Sequence, residues 1–331
     1  MKTKSIITLG SWLALIVAAI AFGVYMHPAA FAGSSSNTAL TANVNVGNVI
    51  YLTVANASSG NVINFGNIFP GSSYNTNVVV TDNDIGGNIG ASILVEGSDW
   101  LNASTSNTFS VGNTFWSPAL LTNTGTNALT STFANTLITI AAPTLSTPYA
   151  SNSIYFGLSV PSGTAPGNYI QTISFRNYNA SQSIYNQSST ANAITAKVNV
   201  QGTCYISLAP NTISFGSIVA SANVPTNVLV TDSDSGGNIA ASMLVEGTSW
   251  YLNGNTLSTK FGVSDTLWDA TSQPTYAGNA LSATLSGTGI TIPAPTQSNT
   301  ITSNDIYFGL GVPGGTPAGA YLQTITIENS C

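Results

Sequence analysis

A carboxylate-rich turn, Thr-Asp-x-Asp-x-Gly-Gly-Asn, occurs twice in the chain and is its best candidate for metal chemistry. The oxygen-bearing side chains of the two copies are Asp82, Asp84, Asn88, Asp232, Asp234 and Asn238. Two carboxylates two residues apart, followed by glycines that allow a sharp turn, open many calcium loops. The pattern departs from an EF-hand loop, because Ile93 and Met243 stand where that loop has a bidentate glutamate. Ca²⁺ is therefore the one candidate cofactor. The alternative is a tight turn that binds no metal.

The two cysteines are the second pair of residues whose positions predict chemistry. Cys204 takes the place that Ile50 holds in the first half of the chain, which is an inward-facing position on a strand. Cys331 keeps the alternation of Ile325 and Ile327, and it therefore also points inward. In an exported protein this arrangement predicts a disulfide that ties the final strand to an earlier one. A buried free thiol and a bridge between chains are the alternatives.

Most catalytic chemistry is excluded by the lack of imidazole. The only histidine, His27, lies in the N-terminal leader, so the mature chain has no Ser-His-Asp triad, Cys-His pair or histidine zinc site. No phosphate-binding glycine loop is present. A hydrolase that works with two opposed carboxylates is the one enzymatic alternative. The sequence shows no such pair, and we predict that the protein is not an enzyme.

The first 32 residues have the features of an export signal. Lys2 and Lys4 precede an apolar run over residues 6–26, and Ala30-Phe31-Ala32 matches a small-x-small cleavage site. The apolar run is also long enough to cross a bilayer, so a retained N-terminal membrane anchor is the alternative to a cleaved signal peptide. Either reading predicts that the body of the protein lies outside the cell or on its surface.

The composition restricts the partners. The chain has 5 Lys and Arg against 11 Asp and Glu, with a net charge of −6. So few cations cannot neutralise a phosphate backbone, which excludes nucleic acid. Membrane contact is expected only through an uncleaved leader. A surface rich in Asn, Ser, Thr and Gly suits a protein that is assembled or glycosylated. The acceptor motifs for N-glycosylation are at Asn56, Asn102, Asn179 and Asn186.

These residues are carried by a module that is present twice. Residues 81–100 return as residues 231–250, and Phe65-Gly-Asn-Ile68 returns as Phe215-Gly-Ser-Ile218. Short runs of alternating apolar residues, separated by Gly, Pro, Asn and Asp, predict antiparallel strands. The predicted fold is therefore all-β, with two tandem antiparallel β-sandwich repeats of the immunoglobulin-like type. We place the first repeat at 33–178, a linker at 179–192 and the second repeat at 193–331.

The apolar positions that both copies keep are the predicted core. They are Phe65/Phe215, Leu94/Leu244, Trp100/Trp250, Trp116/Trp268, Phe156/Phe308 and Ile173/Ile325. The tryptophans admit a second interpretation, since indole faces stack on sugar rings, but packing inside the sandwiches is favoured.

Both repeats open with the same strand. Residues 193–200 (Ala-Ile-Thr-Ala-Lys-Val-Asn-Val) match residues 39–46 (Ala-Leu-Thr-Ala-Asn-Val-Asn-Val), in which Ala42, Val44 and Val46 share one face. The first copy of the strand follows a short Gly-Ser-Asn tether. It could pair with its own sheet or with the open edge of a neighbouring molecule.

These motifs together resemble a known group of surface proteins. The opening Val-x-Val strand, the Phe-Gly-x-Ile turn and the Val-Glu-Gly-x-x-Trp strand are similar to those of secreted immunoglobulin-like modules in archaeal surface proteins and, in outline, in camelysin-type biofilm fibre subunits. The resemblance implies extracellular threads or tubes, in which the N-terminal strand of one subunit completes the sandwich of the next and calcium assists some assemblies. Thread subunits usually have one sandwich. Whether strand 193–200 completes the first module within this chain, leaving 39–46 as a donor, is therefore open.

The sequence thus predicts a non-enzymatic extracellular structural protein, a subunit of a surface filament, sheath or matrix that assembles by strand donation. Its expected partners are copies of itself or other surface proteins. The alternative is a cell-surface adhesin or glycan-binding module, which would need the tryptophans to be exposed.

Overall fold

The computed structural model describes residues 43–56, 61–120, 127–185, 192–258 and 260–331, and the side chains of 55–56 and 75–83 are not included. The predicted leader and residues 39–42 of the first opening strand lie outside the described residues. The described chain is built from strands, with two short 3-10 helices at Val111–Asn113 and Val263–Asp265. None of the helices in this part of the chain is long and apolar enough to cross a membrane.

The described residues form twenty-four strands, numbered here in chain order. The first thirteen are β1 (Thr53–Asn56), β2 (Val62–Ile68), β3 (Ser73–Ile85), β4 (Ala91–Gly97), β5 (Trp100–Leu101), β6 (Thr108–Phe109), β7 (Thr114–Ser117), β8 (Asn127–Ala128), β9 (Ala134–Ile140), β10 (Tyr149–Ser159), β11 (Gly167–Asn179), β12 (Ile184–Tyr185) and β13 (Asn192–Val200). The others are β14 (Ser207–Ala209), β15 (Asn223–Ser235), β16 (Ala241–Gly247), β17 (Trp250–Leu252), β18 (Lys260–Phe261), β19 (Thr266–Asp269), β20 (Asn279–Ala280), β21 (Ser286–Ile292), β22 (Ile301–Gly311), β23 (Tyr321–Leu322) and β24 (Ile325–Ser330).

The first module is a sandwich of two sheets. One sheet has the order β1-β3-β10-β7-β8, and the other has the order β2-β13-β11-β4-β9 with three short strands beside it. Strand β11 alternates between buried and less buried positions along its length, which places one row of side chains in the core. The predicted all-β class and sandwich architecture are confirmed.

The second module repeats the first sheet of this sandwich but not the second. Its strands β14-β15-β22-β19-β20 reproduce the five-stranded sheet. The opposite face is divided into two three-stranded sheets, β21-β16-β24 and β18-β17-β23. Residues 212–218, which correspond to β2, have no strand assignment. The two modules therefore share a sequence pattern but differ on one face.

The difference comes from β13, the opening strand of the second sequence repeat. This strand lies in the first module, where it pairs antiparallel with β11 from Gly167↔Val200 to Phe175↔Asn192. On its other side it pairs parallel with β2, from Thr195↔Val62 to Val200↔Ile68. The structure therefore answers the question that the sequence left open, because strand 193–200 completes the first module within the chain.

Sequence repeat and folded module consequently differ by one strand. The second sequence repeat begins at residue 193, whereas the folded first module includes the chain up to Val200. The stretch predicted as a linker, 179–192, includes the last residue of β11 and the short strand β12, and its residues 186–191 lie outside the described part of the chain.

The predicted core residues of the first module are buried, with one exception. Phe65, Trp100, Phe156 and Ile173 are at most 1% exposed, and Trp116 is 6% exposed. Leu94 is only partly buried, and its neighbours Ile93 and Val95 point inward instead. The same holds for Leu244, beside Met243 and Val245. The choice of Leu94 and Leu244 was wrong by one residue, because alternate residues of a strand face opposite sides.

Removal of side-chain volume from the inner face of β13 tests its role in the first module. We expect Ile194→Ala to lower the free energy of unfolding of that module by about 2–5 kcal/mol, because it leaves a cavity in a packed core. The matched control is Lys197→Ala on the exposed face of the same strand, which should change it by less than about 0.5 kcal/mol. Denaturant unfolding measures both, and equal effects of the two variants would contradict the assignment.

Candidate functional site: an open groove in the second module

A groove of about 320 Å³, lined by both apolar and polar side chains, opens on the second module. One wall is the segment that corresponds to β2, including Ile213 and Phe215, and the other is the row from Tyr321 to Ile327. Val230, Trp250 and Phe308 also line it. Among the described residues no strand lies between the two walls. This is the place that β13 occupies in the first module.

The residues around the groove are less buried than their counterparts around β13. In the first module Phe65, Tyr169 and Ile173 are at most 1% exposed. Their counterparts Phe215, Tyr321 and Ile325 are only partly buried, although the amino acids are identical. Burial in the first module follows from coverage by β13, whose inward side chains Ile194, Ala196, Val198 and Val200 are at most 2% exposed. The groove therefore presents core side chains to solvent.

A row of aromatic rings keeps the same geometry in both modules. Phe215, Trp250, Phe261 and Tyr321 follow one another with centroid distances of 5.9, 5.5 and 5.1 Å. The row that includes Phe65 and Trp100 in the first module has distances of 5.9, 5.4 and 5.2 Å. The floor of the groove thus has its final arrangement without a strand above it.

A hydrogen-bond relay that begins at a buried indole below the groove is also duplicated. The indole NH of Trp250 donates to Thr266 Oγ1 (2.8 Å), whose hydroxyl donates to Gln323 Oε1 (2.9 Å). Gln323 Nε2 in turn donates to the carbonyl of Thr248 (2.7 Å). Trp100, Thr114 and Gln171 form the same relay in the first module. Each relay satisfies the polar atoms that an aromatic core would otherwise leave unpaired.

The predicted disulfide between Cys204 and Cys331 is formed, with an S–S distance of 2.02 Å and a Cα–Cα distance of 6.2 Å. Cys331 directly follows β24, which pairs with β16 on one side only. Its counterpart β11 has neighbours on both sides, β13 and β4. The disulfide therefore anchors a strand next to the groove that lacks the second neighbour present in the first module.

The described residues of the predicted assembly strand are exposed. Val44 is 87% exposed and Val46 is 71% exposed, and neither belongs to a strand. Ala42, the third residue of that prediction, lies outside the described residues. Two valines on one face, open to water, would gain free energy from burial against an apolar surface.

The carboxylate-rich turns hold buried acids that bond to backbone NH groups. Asp84 Oδ1 accepts from the NH of Tyr51 (3.0 Å), and Asp234 Oδ1 accepts from the NH of Gly237 (3.1 Å). Asn88 and Asn238 each accept from a backbone NH at 2.8 Å, from Val49 and Thr203. Within the described residues no group of three or more His, Cys, Asp or Glu could hold a metal ion, and the Asp82 side chain is outside this set. Calcium binding stays a prediction.

Burial raises the pKa of three of these carboxyl groups. For Asp84 and Asp234 the backbone NH groups offset part of the increase. For Asp232, burial again has the largest effect on the pKa, and the Ser207 backbone and the Asn329 amide oppose it only in part. The Ser207 NH and the Asn329 amide lie close enough to lower the pKa of Asp232, but neither carboxylate oxygen accepts a hydrogen bond of good geometry in the described structure. An ionised Asp232 is therefore costly to the fold.

The predicted glycosylation positions differ in their surroundings. Asn102 is 2% exposed, its Oδ1 accepts from Ser104 and its Nδ2 is buried, so the described fold leaves no room for a glycan there. Asn179 donates to the carbonyl of Gly90 (2.6 Å). Asn56 is described only by its backbone in β1, and Asn186 lies outside the described residues. Glycosylation stays a prediction.

The sequence did not identify the groove, although it contained a signal for it. Ile213, Tyr321 and Gln323 line the groove, and each repeats a residue of the first module at the corresponding position of its own strand. Repetition alone marks these residues as core. Only the strand pairing shows that one of the two cores is uncovered.

No protein-family model matches the sequence, and no curated protein matches it. The solved structures that are similar include a family 123 glycoside hydrolase of Clostridium perfringens, at 12% identity over 45% of this chain and 27% of that one, with a TM-score of 0.28. The chain thus spans about a quarter of that protein.

Two further similar structures come from bacterial pili. One is the chaperone–tip adhesion subunit complex of the archaic chaperone-usher Csu pili of Acinetobacter baumannii, at 10% identity over 84% of this chain and 100% of that one, with a TM-score of 0.44. The other is the CFA/I adhesin CfaE of enterotoxigenic E. coli, at 10% identity over 86% of both chains, with a TM-score of 0.30. At these values the similarities do not identify a function for this chain.

The raised carboxyl pKa values predict an unusual pH dependence. The unfolded chain loses these protons near pH 3.8, whereas the folded chain retains them to higher pH. The free energy of unfolding contributed by Asp232 should therefore be highest below pH 3.8 and decrease as pH rises through the raised pKa. We expect Asp232→Asn to be more stable than the unmodified chain at pH 7, and this gain to vanish in acid.

Thermal unfolding across pH, with calcium and with a chelator, measures this effect. Asp269→Asn is the contrasting variant, because hydrogen bonds from Thr271 lower the pKa of Asp269. Removal of the Asp269 carboxylate should therefore lower the stability of the folded chain at neutral pH. Calcium bound at the turns would favour the ionised carboxylates, raise stability at neutral pH and reverse the effect of Asp232→Asn. No difference between Asp232→Asn and the unmodified chain at any pH would contradict the burial argument.

Loss of the disulfide should destabilise one module only. Cys204→Ser with Cys331→Ser removes a cross-link between residues 127 positions apart. We expect the free energy of unfolding of the second module to fall by about 2–5 kcal/mol. The transition of the first module serves as the internal control, because the disulfide lies outside it. An equal loss in both transitions would show that the effect is not local.

Proposed function

We propose that the protein is a non-enzymatic subunit of an extracellular filament, and that residues 39–46 of one copy fill the groove in the second module of another copy. One observation carries this proposal. Strand β13 has nearly the sequence of residues 39–46 and occupies the equivalent position in the first module.

The match between the two strands is close where it matters for packing. Six of the eight positions are identical, and the exceptions are Leu40 in place of Ile194 and Asn43 in place of Lys197. The first exception keeps an apolar side chain at an inward position. The second falls at Lys197, which faces solvent in the first module. The donor strand therefore keeps the whole inward face of β13.

The pairing in the first module defines the register of the incoming strand. Val198 lies opposite Tyr169 and Ala196 lies opposite Gln171. By the spacing of the two repeats, Val44 would lie opposite Tyr321 and Ala42 opposite Gln323. On the other side the strand would run parallel to residues 212–218, as β13 runs parallel to β2.

The groove cannot take this strand from its own chain. In this register Val46 lies beside Gly319, at the far end of the second module. Val49, only three residues later, bonds to Asn88 at the opposite end of the first module. Three residues span at most about 11 Å, whereas β11 alone extends about 40 Å. The donor must therefore be a second copy.

The free energy available is large enough for stable assembly. Leu40, Val44 and Val46 would move from water into the groove, and a fully buried side chain of this kind contributes about 1.5–3 kcal/mol. The backbone of the donor would also pair with both walls, which is how strand addition gains affinity in general. The prearranged aromatic floor lowers the cost of ordering.

A glycan-binding module is the less favoured alternative. Its tryptophans would have to be exposed, whereas Trp100, Trp116, Trp250 and Trp268 are at most 9% exposed. They pack inside the sandwiches instead.

Deletion of the donor tests the proposal. We expect residues 47–331 to remain monomeric, while residues 33–331 form filaments visible by negative-stain electron microscopy. A synthetic peptide of residues 33–47 should bind the shortened chain and raise the thermal midpoint of its second module. Binding adds stability only to the state that accepts the peptide.

The matched control is the same peptide with Val44→Asp. A charge buried opposite Tyr321 should abolish binding. Filaments formed by residues 47–331, or equal binding of both peptides, would rule out strand donation by residues 39–46.

A further inference from the structure

The two modules contact each other within the chain through two different surfaces. Each of these surfaces occurs a second time at an outer end of the molecule. For each module we call the turn at Asn88 or Asn238 the base, and the loop at Thr164 or Thr316 the tip. Within the compact unit Asn48–Cys331 the tip of the first module lies against the base of the second. Among the described residues of the single chain, no module lies against the other base or the other tip.

The contact within the chain is specific. Asn238 is 3% exposed, and its Nδ2 donates to the carbonyl of Thr164 (2.8 Å) and to the carbonyl of Gln201 (2.8 Å). Gln297 Nε2 donates to the carbonyl of Thr108 (3.2 Å). Gly163 lies so close that a Cβ atom there would collide with the backbone of Thr296. Backbone therefore packs directly on backbone.

The tip of the second module has the same shape as the tip of the first. Thr164 and Thr316 each bond to the carbonyl of the proline three residues earlier, through Oγ1 at 2.7 Å and through the NH at 3.3 Å. Gly163 and Gly315 both have positive φ, 70° and 80°. Gly163 is buried in the contact, whereas Gly315 is exposed and its Cβ position is open.

The base of the first module likewise has the shape of the base of the second. The NH of Asn88 donates to Val49 at 3.0 Å, as the NH of Asn238 donates to Thr203 at 2.9 Å. The turns at Thr144 and Thr296 close with the same 2.8 Å backbone bond. Leu145 takes the place of Gln297 and is fully exposed, so its apolar side chain would gain free energy if a second surface covered it.

Strand donation would bring these two surfaces together. Within the chain, only Gln201 and Gly202 connect the end of β13 to Thr203 at the base of the second module. Between copies, only Gly47 and Asn48 would connect the inserted strand to Val49 at the base of the first module. The connections have equal length and start from equivalent positions. The base of the incoming copy must therefore lie at the tip of the accepting copy.

We infer that successive copies dock tip to base through the contact already present inside the chain, with Gly315 of one copy against the Thr144 turn of the next and Leu145 buried between them. This inference depends on the proposed function. It adds that the filament repeats module by module, with an equivalent junction within and between chains. The docking surface is the loop 313–319 on one side and residues 86–88 and 144–147 on the other.

A side chain at Gly315 tests the contact. Asn is the best choice, because it tolerates positive φ better than other residues that bear a Cβ. Gly315→Asn should leave the monomer folded and collide with the next copy. The matched control is Gly289→Asn, since Gly289 has φ 73°, an open Cβ position and the counterpart Leu137 in the first module. A second pair is Leu145→Asp against Leu137→Asp, both at exposed leucines.

The readouts separate docking from strand donation. We expect Gly315→Asn and Leu145→Asp to raise the critical concentration for filament formation at least about tenfold, the change that a loss of 1.4 kcal/mol produces. The controls should assemble like the unmodified chain. Binding of the 33–47 peptide to the second module should be unchanged in all four variants, and micrographs of unmodified filaments should show uniform module spacing.

Two outcomes would overturn the inference. Normal assembly of Gly315→Asn and Leu145→Asp, with peptide binding intact, would exclude the docking contact and leave strand donation standing. Failure of the unmodified second module to bind the peptide would remove strand donation itself, and the docking contact with it.

Discussion

The pairing of one strand on both of its edges determines the rest of this structure. Strand β13 lies between β2 and β11 and covers the aromatic row of the first module. Without that strand, two sheet edges and a set of core side chains face water, as they do in the second module. Open edges and exposed apolar surface are both features that bring chains together. One strand thus separates a closed module from one that can accept a partner.

The second module remains ordered around its groove because other interactions fix the walls and floor. The relay from Trp250 through Thr266 to Gln323 fixes the indole and the amide that face the groove. The Cys204–Cys331 disulfide anchors the end of β24, which has only one neighbouring strand. The first module has no cysteine, and its strand β11 is paired on both sides. The disulfide is thus present in the module where strand pairing is incomplete.

The sequence predicted the fold class, the duplication and the disulfide, because alternation, repetition and residue parity are local signals. It assigned Leu94 to the core, whereas the neighbouring residues of the strand are the buried ones. The run Ala91–Gly97 is apolar at adjacent positions, so only the pairing in the sheet decides which face of the strand points inward. The sequence could not assign β13 to a module. That assignment depends on pairing with β11 and β2, and β2 lies more than a hundred residues away. Because β13 pairs in the first module, the equivalent position in the second module is left as a groove. The sequence therefore could not predict the groove either.

Two copies of one strand with different tethers also explain why assembly would be directional. Strand β13 follows β11 in the same chain, so its effective concentration at the first module is far higher than that of any strand from another molecule. The first module is therefore completed internally. In the proposed register the N-terminal copy would not reach the groove of its own chain, and it would be left for a neighbour. In the proposed assembly one donor and one acceptor at opposite ends would form a head-to-tail interface, and such an interface produces an open filament unless its rotation closes a ring. The intrachain junction fixes that rotation, so the geometry of the polymer would be contained in the single chain.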